Sequence, residues 1–235
     1  MEVFISMGLL NFRKFTMMKV AITGSSQEAK DFNKLLIEQG VNSSLLTEKE
    51  LPEHGCLVVD FIPASKTRLQ FFLASKPKAL FLNIPYTTLS EVMGNDFIEF
   101  DCFGFNGLAG FARDRSLEVS YRQGQDLNIL KQASEALKIV INEISDTIGM
   151  VSPRVVCMII NEAYFTFQDG TAKPLDIDLS MRLGTNYPIG PFEWAKKIGL
   201  AEVVHLLDRV YDYTHDERYK VCTTLRMEAA RLTPQ

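Results

Sequence analysis

No two of the cysteines Cys56, Cys102, Cys157 and Cys222 stand at CxxC spacing, and only three histidines accompany them in 235 residues. This excludes a zinc ribbon, a redox pair or a clustered His/Cys centre as the organising chemistry, so no metal is expected. The thiols are expected to be buried in a reducing cytoplasm. An excess of one charge is missing too. Lys and Arg number 25 against 29 Asp and Glu, a net charge of −4, which gives no reason to expect a nucleic-acid partner. Long apolar runs are absent. The stretch holding Phe4, Ile5, Met7, Leu9 and Leu10 is too short to span a bilayer. Its basic residues, Arg13 and Lys14, follow it, the reverse of a signal peptide. Residues 1–17 are therefore expected to be an extension outside the fold, and no membrane partner is expected. Internal repeats and low-complexity tracts are also absent.

What is present has the pattern of an α/β chain. KVAIT, Lys19 to Thr23, is a short apolar run ending at Gly24. Ala29, Phe32, Leu35 and Leu36 then fall at helical spacing up to Gly40, and Val41 to Thr47 reads as a second strand. Cys56 to Phe61, Ala79 to Ile84 and Lys138 to Ile144 read as further strands. Between them, Lys66 to Ala74, Leu89 to Met93 and Asp126 to Leu137 read as helices. Strands joined by helices imply a parallel sheet covered on both faces. After Asp146 only helical stripes follow: Pro153 to Gln168, a helix through Leu175, Leu179 and Leu183, Leu200 to Tyr213, with Val203, Val204, Leu207 and Val210 inward, and Leu225 to Leu232. The expected architecture is a Rossmann-like parallel-sheet domain over residues 18–146, followed by an all-α domain over 147–235.

The most organised stretch runs from Asp176 to Leu200. Pro174 suits a first helical turn, and Gly184 is placed to end that helix in a left-handed cap. Tyr187-Pro188-Ile189-Gly190-Pro191 makes a stiff corner, Phe192-Glu193-Trp194 opens the next helix, and Gly199 closes it. LGTNYPIGPFEWAKKIGL resembles the YPxGPFE segment in the C-terminal domain of the 3-hydroxyacyl-CoA dehydrogenases. Upstream, GMVSPRVVCMIINEAYFTFQDGTAKPLDIDLSMRLG is similar to that domain's first two helices. The resemblance is strong over residues 146–219 and weak back to Lys19.

The resemblance implies NAD-linked oxidation of 3-hydroxyacyl-CoA in fatty-acid β-oxidation. It also implies a homodimer through the C-terminal domain, which walls one side of an acyl-CoA cleft. At the nucleotide fingerprint the chain offers Gly24, Ser26 and Ala29, and Thr47 and Glu48 stand where an acid would bind the ribose. This turn is either a working NAD site or one that keeps the fold without the dinucleotide. Asp60 matches the acid of the family's VIEAV strand. The long helical hairpin that covers acyl-CoA is replaced by the short loop EKELPEHG. Thr87 matches the serine that bonds the substrate hydroxyl, though Thr87 or Thr88 can equally N-cap the helix that follows. Anchoring on Asn106 places Phe103 at the general-base histidine, and anchoring on LEV places Glu118 at its partner glutamate. Pro153 stands where an asparagine contacts substrate, while Arg154 is kept. The histidines His54, His205 and His215 all lie outside this segment.

Phenylalanine accepts no proton, so the base is missing where the acid persists. Three functions compete: the dehydrogenase, with Thr87 and Glu118 as its site; a non-catalytic dimeric scaffold binding acyl-CoA or a partner; and a reductase using another acid, Tyr86 or Lys66.

Overall fold

Alternation along the strands decides how the sheet is covered. In β1 (Val20–Thr23), Val20 and Ile22 join one core and Ala21 the other. The same split recurs in β3 (Leu57–Pro63), β4 (Ala79–Asn83) and β5 (Asp101–Phe105). One face is covered by α1 (Gln27–Glu38), through Phe32 and Leu36, and by α4 (Asn128–Leu137), through Leu130, Ala133 and Leu137. The other is covered by α2 (Lys66–Leu73) and α3 (Leu89–Met93), through Leu69, Phe72, Leu89 and Val92. The computed structural model describes residues 18–96, 98–112 and 115–232. The expected extension, residues 1–17, lies outside them.

With β2 (Ser43–Leu46), β6 (Ser116–Tyr121) and β7 (Val140–Ser145), the sheet has the order β2-β1-β3-β4-β5-β6-β7. One neighbouring pair departs from the expected parallel arrangement. β5 and β6 are antiparallel, with Gly104 opposite Ser120, while every other neighbouring pair is parallel. Among the described residues between β5 and β6 there is no crossover helix, and the two strands run antiparallel, whereas α4 carries β6 over to a parallel β7. The sheet is therefore mostly parallel, with its last two strands reversed.

Helices α5 (Ser152–Gln168), α6 (Pro174–Thr185), α7 (Pro191–Ile198), α8 (Leu200–Thr214) and α9 (Thr223–Leu232) close around a separate apolar core. Buried Asn161 of α5 holds the approach to α9. It donates to the Lys220 carbonyl at 2.8 Å and accepts from the Cys222 N–H at 2.8 Å. On α8 the inward positions are Val203, Leu206, Leu207 and Val210, all fully buried, and Val204 is only partly covered. That stripe is thus consumed within the chain. The apolar side chains left exposed on this half include Leu175, Leu179 and Leu183 of α6, with Val151 and Val155 at the start of α5. All four cysteines are free and buried. Burial pushes the Cys56 thiol up to about 11 and the Cys157 thiol to about 12, which leaves neither poised as a nucleophile.

The corner between α6 and α7 has a specific cause. Helix α6 runs through Gly184 to Thr185 and is capped by Asn186, which takes the left-handed conformation at φ 56° in place of the glycine. Asp178, buried in α6, reaches the start of α7 and accepts from the Phe192 N–H at 2.8 Å and the Glu193 N–H at 3.3 Å. Those are first-turn donors with no partner inside α7. Pro191 in the first turn needs none. A side chain at Gly190 would lie 2.3 Å from the Asp178 carboxyl, so only glycine lets the corner close. Gly190→Ala is expected to destabilise the chain by about 2 kcal/mol, and Asp178→Ala by about 1–2 kcal/mol, in urea unfolding. Wild-type stability in Gly190→Ala contradicts this account.

Candidate active-site cleft

A cleft of about 260 Å³ opens where β6, β7 and the loop after β5 face α5 and α7. The sheet side contributes Asn106, Gly110, Phe111, Ser116, Leu117, Glu118 and Asn142, and the helical side Ser152, Val156 and Trp194. Phe111 and Trp194 stack across it with ring centres 5.4 Å apart and planes 28° off parallel. Lys197 sits 5.4 Å from the Trp194 ring centre. Gly110 lies against that ring, at a left-handed φ of 93°. The cleft therefore has an apolar aromatic wall and a set of amide and hydroxyl groups, the composition of a small-molecule site.

Glu118 is the sequence-marked residue that faces this cleft, and its carboxylate is already engaged. It accepts from the Ser152 N–H at 2.9 Å, from the Val151 N–H at 3.2 Å and from the Ser152 hydroxyl. Helix α5 needs this acceptor. Its N-cap is Val151, which has no side-chain acceptor, and Pro153 follows in the first turn. A carboxylate from β6 thus caps a helix of the other half.

Phe103 does not line the cleft. It is fully buried in β5, packed with its ring centre 5.2 Å from Phe81 on the face covered by α1 and α4. Thr87 donates to Glu91 at 2.6 Å, and its neighbour Thr88 N-caps α3 in a reciprocal pair with Glu91, so the cap belongs to Thr88. Pro153 is buried at the start of α5. Arg154 donates to the Thr147 hydroxyl at 3.0 Å and to the Ile148 carbonyl. Tyr86 bonds Glu202 and stacks on His205 at 4.2 Å. Burial and Glu202 push its phenol up, unlike the lowered value a proton donor at neutral pH needs. Lys66 pairs with Asp96 at 3.1 Å on the surface. His54 sits in an exposed loop and His215 caps the end of α8.

The place where an open α/β sheet binds nucleotides is the crevice between β1 and β3. There the strand order reverses, with β2 lying on one side and β3 to β7 on the other. Gly24 ends β1 at φ 129° and packs near Phe61 and Ala29. Ser26 N-caps α1 by accepting from the Ala29 N–H at 3.2 Å, and Ala29 is buried. Asp60 is fully buried in the middle of β3, paired in register with Thr23, the last residue of β1. Its carboxylate accepts from the Thr23 hydroxyl at 2.5 Å and from Arg68 Nε and Nη2 at 2.7 and 3.0 Å. Burial pushes the Asp60 carboxyl up, and the bonds from Arg68 and Thr23 pull against it. Arg68 Nη1 donates to the Glu48 carbonyl at 2.8 Å, beyond β2. This is a crevice bridged by side chains, and it does not fit a pyrophosphate, which needs an open, glycine-floored cradle.

The structure brings Glu118 to the cleft together with Asn106, and leaves Gly24, Ser26, Ala29, Asp60, Thr87 and Phe103 outside it. Phe111, Asn142, Ser152 and Trp194 were missed in the sequence. Trp194, the one tryptophan, in the helix that follows the proline corner was the available signal. Asn142 had none, because its approach to the cleft depends on the reversal of β6 and β7.

The family model described as "3-hydroxyacyl-CoA dehydrogenase, C-terminal domain" matches residues 149–232. A 3-hydroxyadipyl-CoA dehydrogenase of Escherichia coli is 44% identical over 87 residues, covering 37% of this chain and 18% of that protein. A probable 3-hydroxybutyryl-CoA dehydrogenase of Bacillus subtilis is 39% identical over 84 residues, covering 36% of this chain and 29% of its own length. The chain thus matches less than a third of these curated relatives. Among solved structures, an (S)-3-hydroxybutyryl-CoA dehydrogenase from Ralstonia eutropha superposes with a TM-score of 0.72 over 92% of this chain and 94% of its own, at 16% identity. At that identity the likeness shows a shared fold across both halves. Residues 149–232 are therefore similar to the C-terminal domain of the 3-hydroxyacyl-CoA dehydrogenases.

Proposed function

We propose that this chain is a 3-hydroxyacyl-CoA dehydrogenase-like protein of fatty-acid metabolism, in a reducing cytoplasm, with an eroded active site. On this reading it keeps the cleft for an acyl-CoA-type ligand and lacks the NAD-linked oxidation that the family resemblance implies. The observation that carries it is Phe103. Oxidation of a 3-hydroxyl needs a base within hydrogen-bond reach of the proton, and such a base contributes about 10²–10⁴-fold. At the position the resemblance gives to that base, this chain has a ring packed on Phe81 inside the sheet core. Glu118, which by resemblance would orient the imidazole, serves instead as the acceptor at the start of α5. Substrate positioning supplies a large share of such barriers, and Pro153 brings no side-chain hydrogen bond to replace the family's asparagine.

A second reading, a non-catalytic dimeric scaffold, is favoured by the exposed row Leu175, Leu179 and Leu183, which are 81%, 48% and 78% exposed. Leucines at this spacing form one apolar stripe along α6, and a stripe of this kind on a folded chain is a contact surface. The second copy that the family resemblance implies would cover it. The two readings are compatible, since a dimer can hold the acyl-CoA cleft without turning over.

The test is NADH formation from 3-hydroxybutyryl-CoA, with Glu118→Gln alongside. The expected outcome is no turnover above background in either protein, with Glu118→Gln showing its effect as lowered stability. Turnover near about 10 s⁻¹, typical of enzymes, and abolished in Glu118→Gln overturns the reading. For the assembly, Leu175→Asp with Leu183→Asp is expected to shift the chain from dimer to monomer in sedimentation at tens of micromolar, on the order of the concentration where a weak interface dissociates. A wild-type monomer, or a dimer unaffected by both changes, contradicts this.

A further inference from the structure

The switch-point crevice carries an interaction that neither the cleft nor the helical domain explains. Arg68 is in the first turn of α2, and its N–H is fixed by the Ser65 hydroxyl at 3.0 Å. Side chains in a first helical turn lean back toward the N-terminus, which here is the carboxyl edge of the sheet. The guanidinium rests near the Phe71 and Phe72 rings, at 4.5 and 4.6 Å from their centres, and the side chain is only 10% exposed. Two of its nitrogens hold Asp60 of β3, level with the end of β1, and the third holds the Glu48 carbonyl in the loop after β2. Asp60 in turn holds Thr23, the last residue of β1. One side chain therefore joins β3 at Asp60 to the loop after β2 and, through Asp60, to the carboxyl end of β1, the strands between which a dinucleotide lies in an open α/β fold. Ser25, in the loop after β1, also reaches the Glu48 carboxylate at 3.3 Å, drawing the same loops together.

We infer that the Arg68 guanidinium, clasped to Asp60 and to the Glu48 carbonyl, closes the switch-point crevice from within, so that the native chain admits no dinucleotide until the clasp is opened. This deepens the eroded-site reading and rests on it only for the class of cofactor, a nicotinamide dinucleotide. The clasp differs from a worn fingerprint. Ser26 in place of glycine crowds a phosphate, whereas Arg68 bridges the floor and the far loop together. It also differs from a phosphate-binding arginine, because its bonding directions are turned onto Asp60 and Glu48 and not outward.

The experiment is a fluorescence titration of NADH against the full chain, the Asp60→Asn/Arg68→Gln double variant and Arg68→Lys. The double change removes both charges together, since removing either alone leaves the other buried and unpaired. Lysine keeps the pair with Asp60 and lacks the fork that reaches Glu48. The wild type is expected to show no saturation below about 1 mM, and the opened variants to bind at least about tenfold tighter, a difference of about 1.4 kcal/mol. Micromolar saturation by the wild type overturns the clasp, and so does a folded opened variant that gains no affinity. Wild-type binding without oxidation of hydroxyacyl-CoA overturns the clasp and leaves the eroded base standing. Oxidation by an opened variant alone does the reverse.

Discussion

The acceptance of the α5 N-terminus by Glu118 joins the two halves of the molecule, and the cleft depends on it. A helix end facing another structural layer exposes unsatisfied N–H donors, and a carboxylate is the strongest neutral-pH acceptor for them. Val151 and Pro153 give α5 no cap of its own, so the acceptor must come from β6. At the other side of the junction the relation is reversed. Asp146, between β7 and α5, accepts from the Leu89 and Ser90 N–H groups at 2.8 and 3.0 Å and so holds the start of α3. Gly149 donates to the Pro85 carbonyl, and Arg209 of α8 donates to the Tyr86 carbonyl, both within 3.0 Å. These links hold Ser152, Val156 and Trp194 opposite the sheet residues that complete the cleft.

This arrangement separates what the helical domain preserves from what chemistry needs. The proline corner, the Asp178 acceptor and the glycine that lets it close are packing devices, and they fit a chain whose likeness to its relatives is concentrated in residues 149–232. The residues to which the resemblance assigns proton transfer or dinucleotide binding make contacts within the fold itself. Phe103 is core, Glu118 is a cap, and Asp60 with Arg68 fills the switch point.

Much of the fold was legible in the sequence because period-2 and period-3.6 patterns report burial directly. α3 was placed at its observed bounds, and the other helices and strands anticipated in the sequence fell within a few residues of theirs. The reversal of β5 against β6 was not legible, since a short run such as LEVS reads the same in either direction. Gly184 drew the end of α6 too early because glycine is the usual left-handed cap, while Asn186 serves here. The site was legible only in part. Motif spacing located Glu118 but not the atoms it bonds, and Arg68 was invisible because its importance comes from a register between β1 and β3 that brings Thr23 and Asp60 side by side. The exposed leucines of α6 were visible as a helical stripe, but a stripe alone does not tell which face the monomer consumes.

The most direct measurement of the central claim is amide hydrogen exchange at Val151 and Ser152 in the wild type and in Glu118→Ala. Loss of a helix cap removes about 0.5–2 kcal/mol of local protection, and exchange in the low-stability limit reports such openings residue by residue. The account predicts faster exchange at these two amides and through the first turn of α5, with the β1 and β3 amides unchanged. Unchanged protection at Val151 and Ser152 would show that Glu118 is free of the helix and available to the cleft, contrary to the structure's central contact.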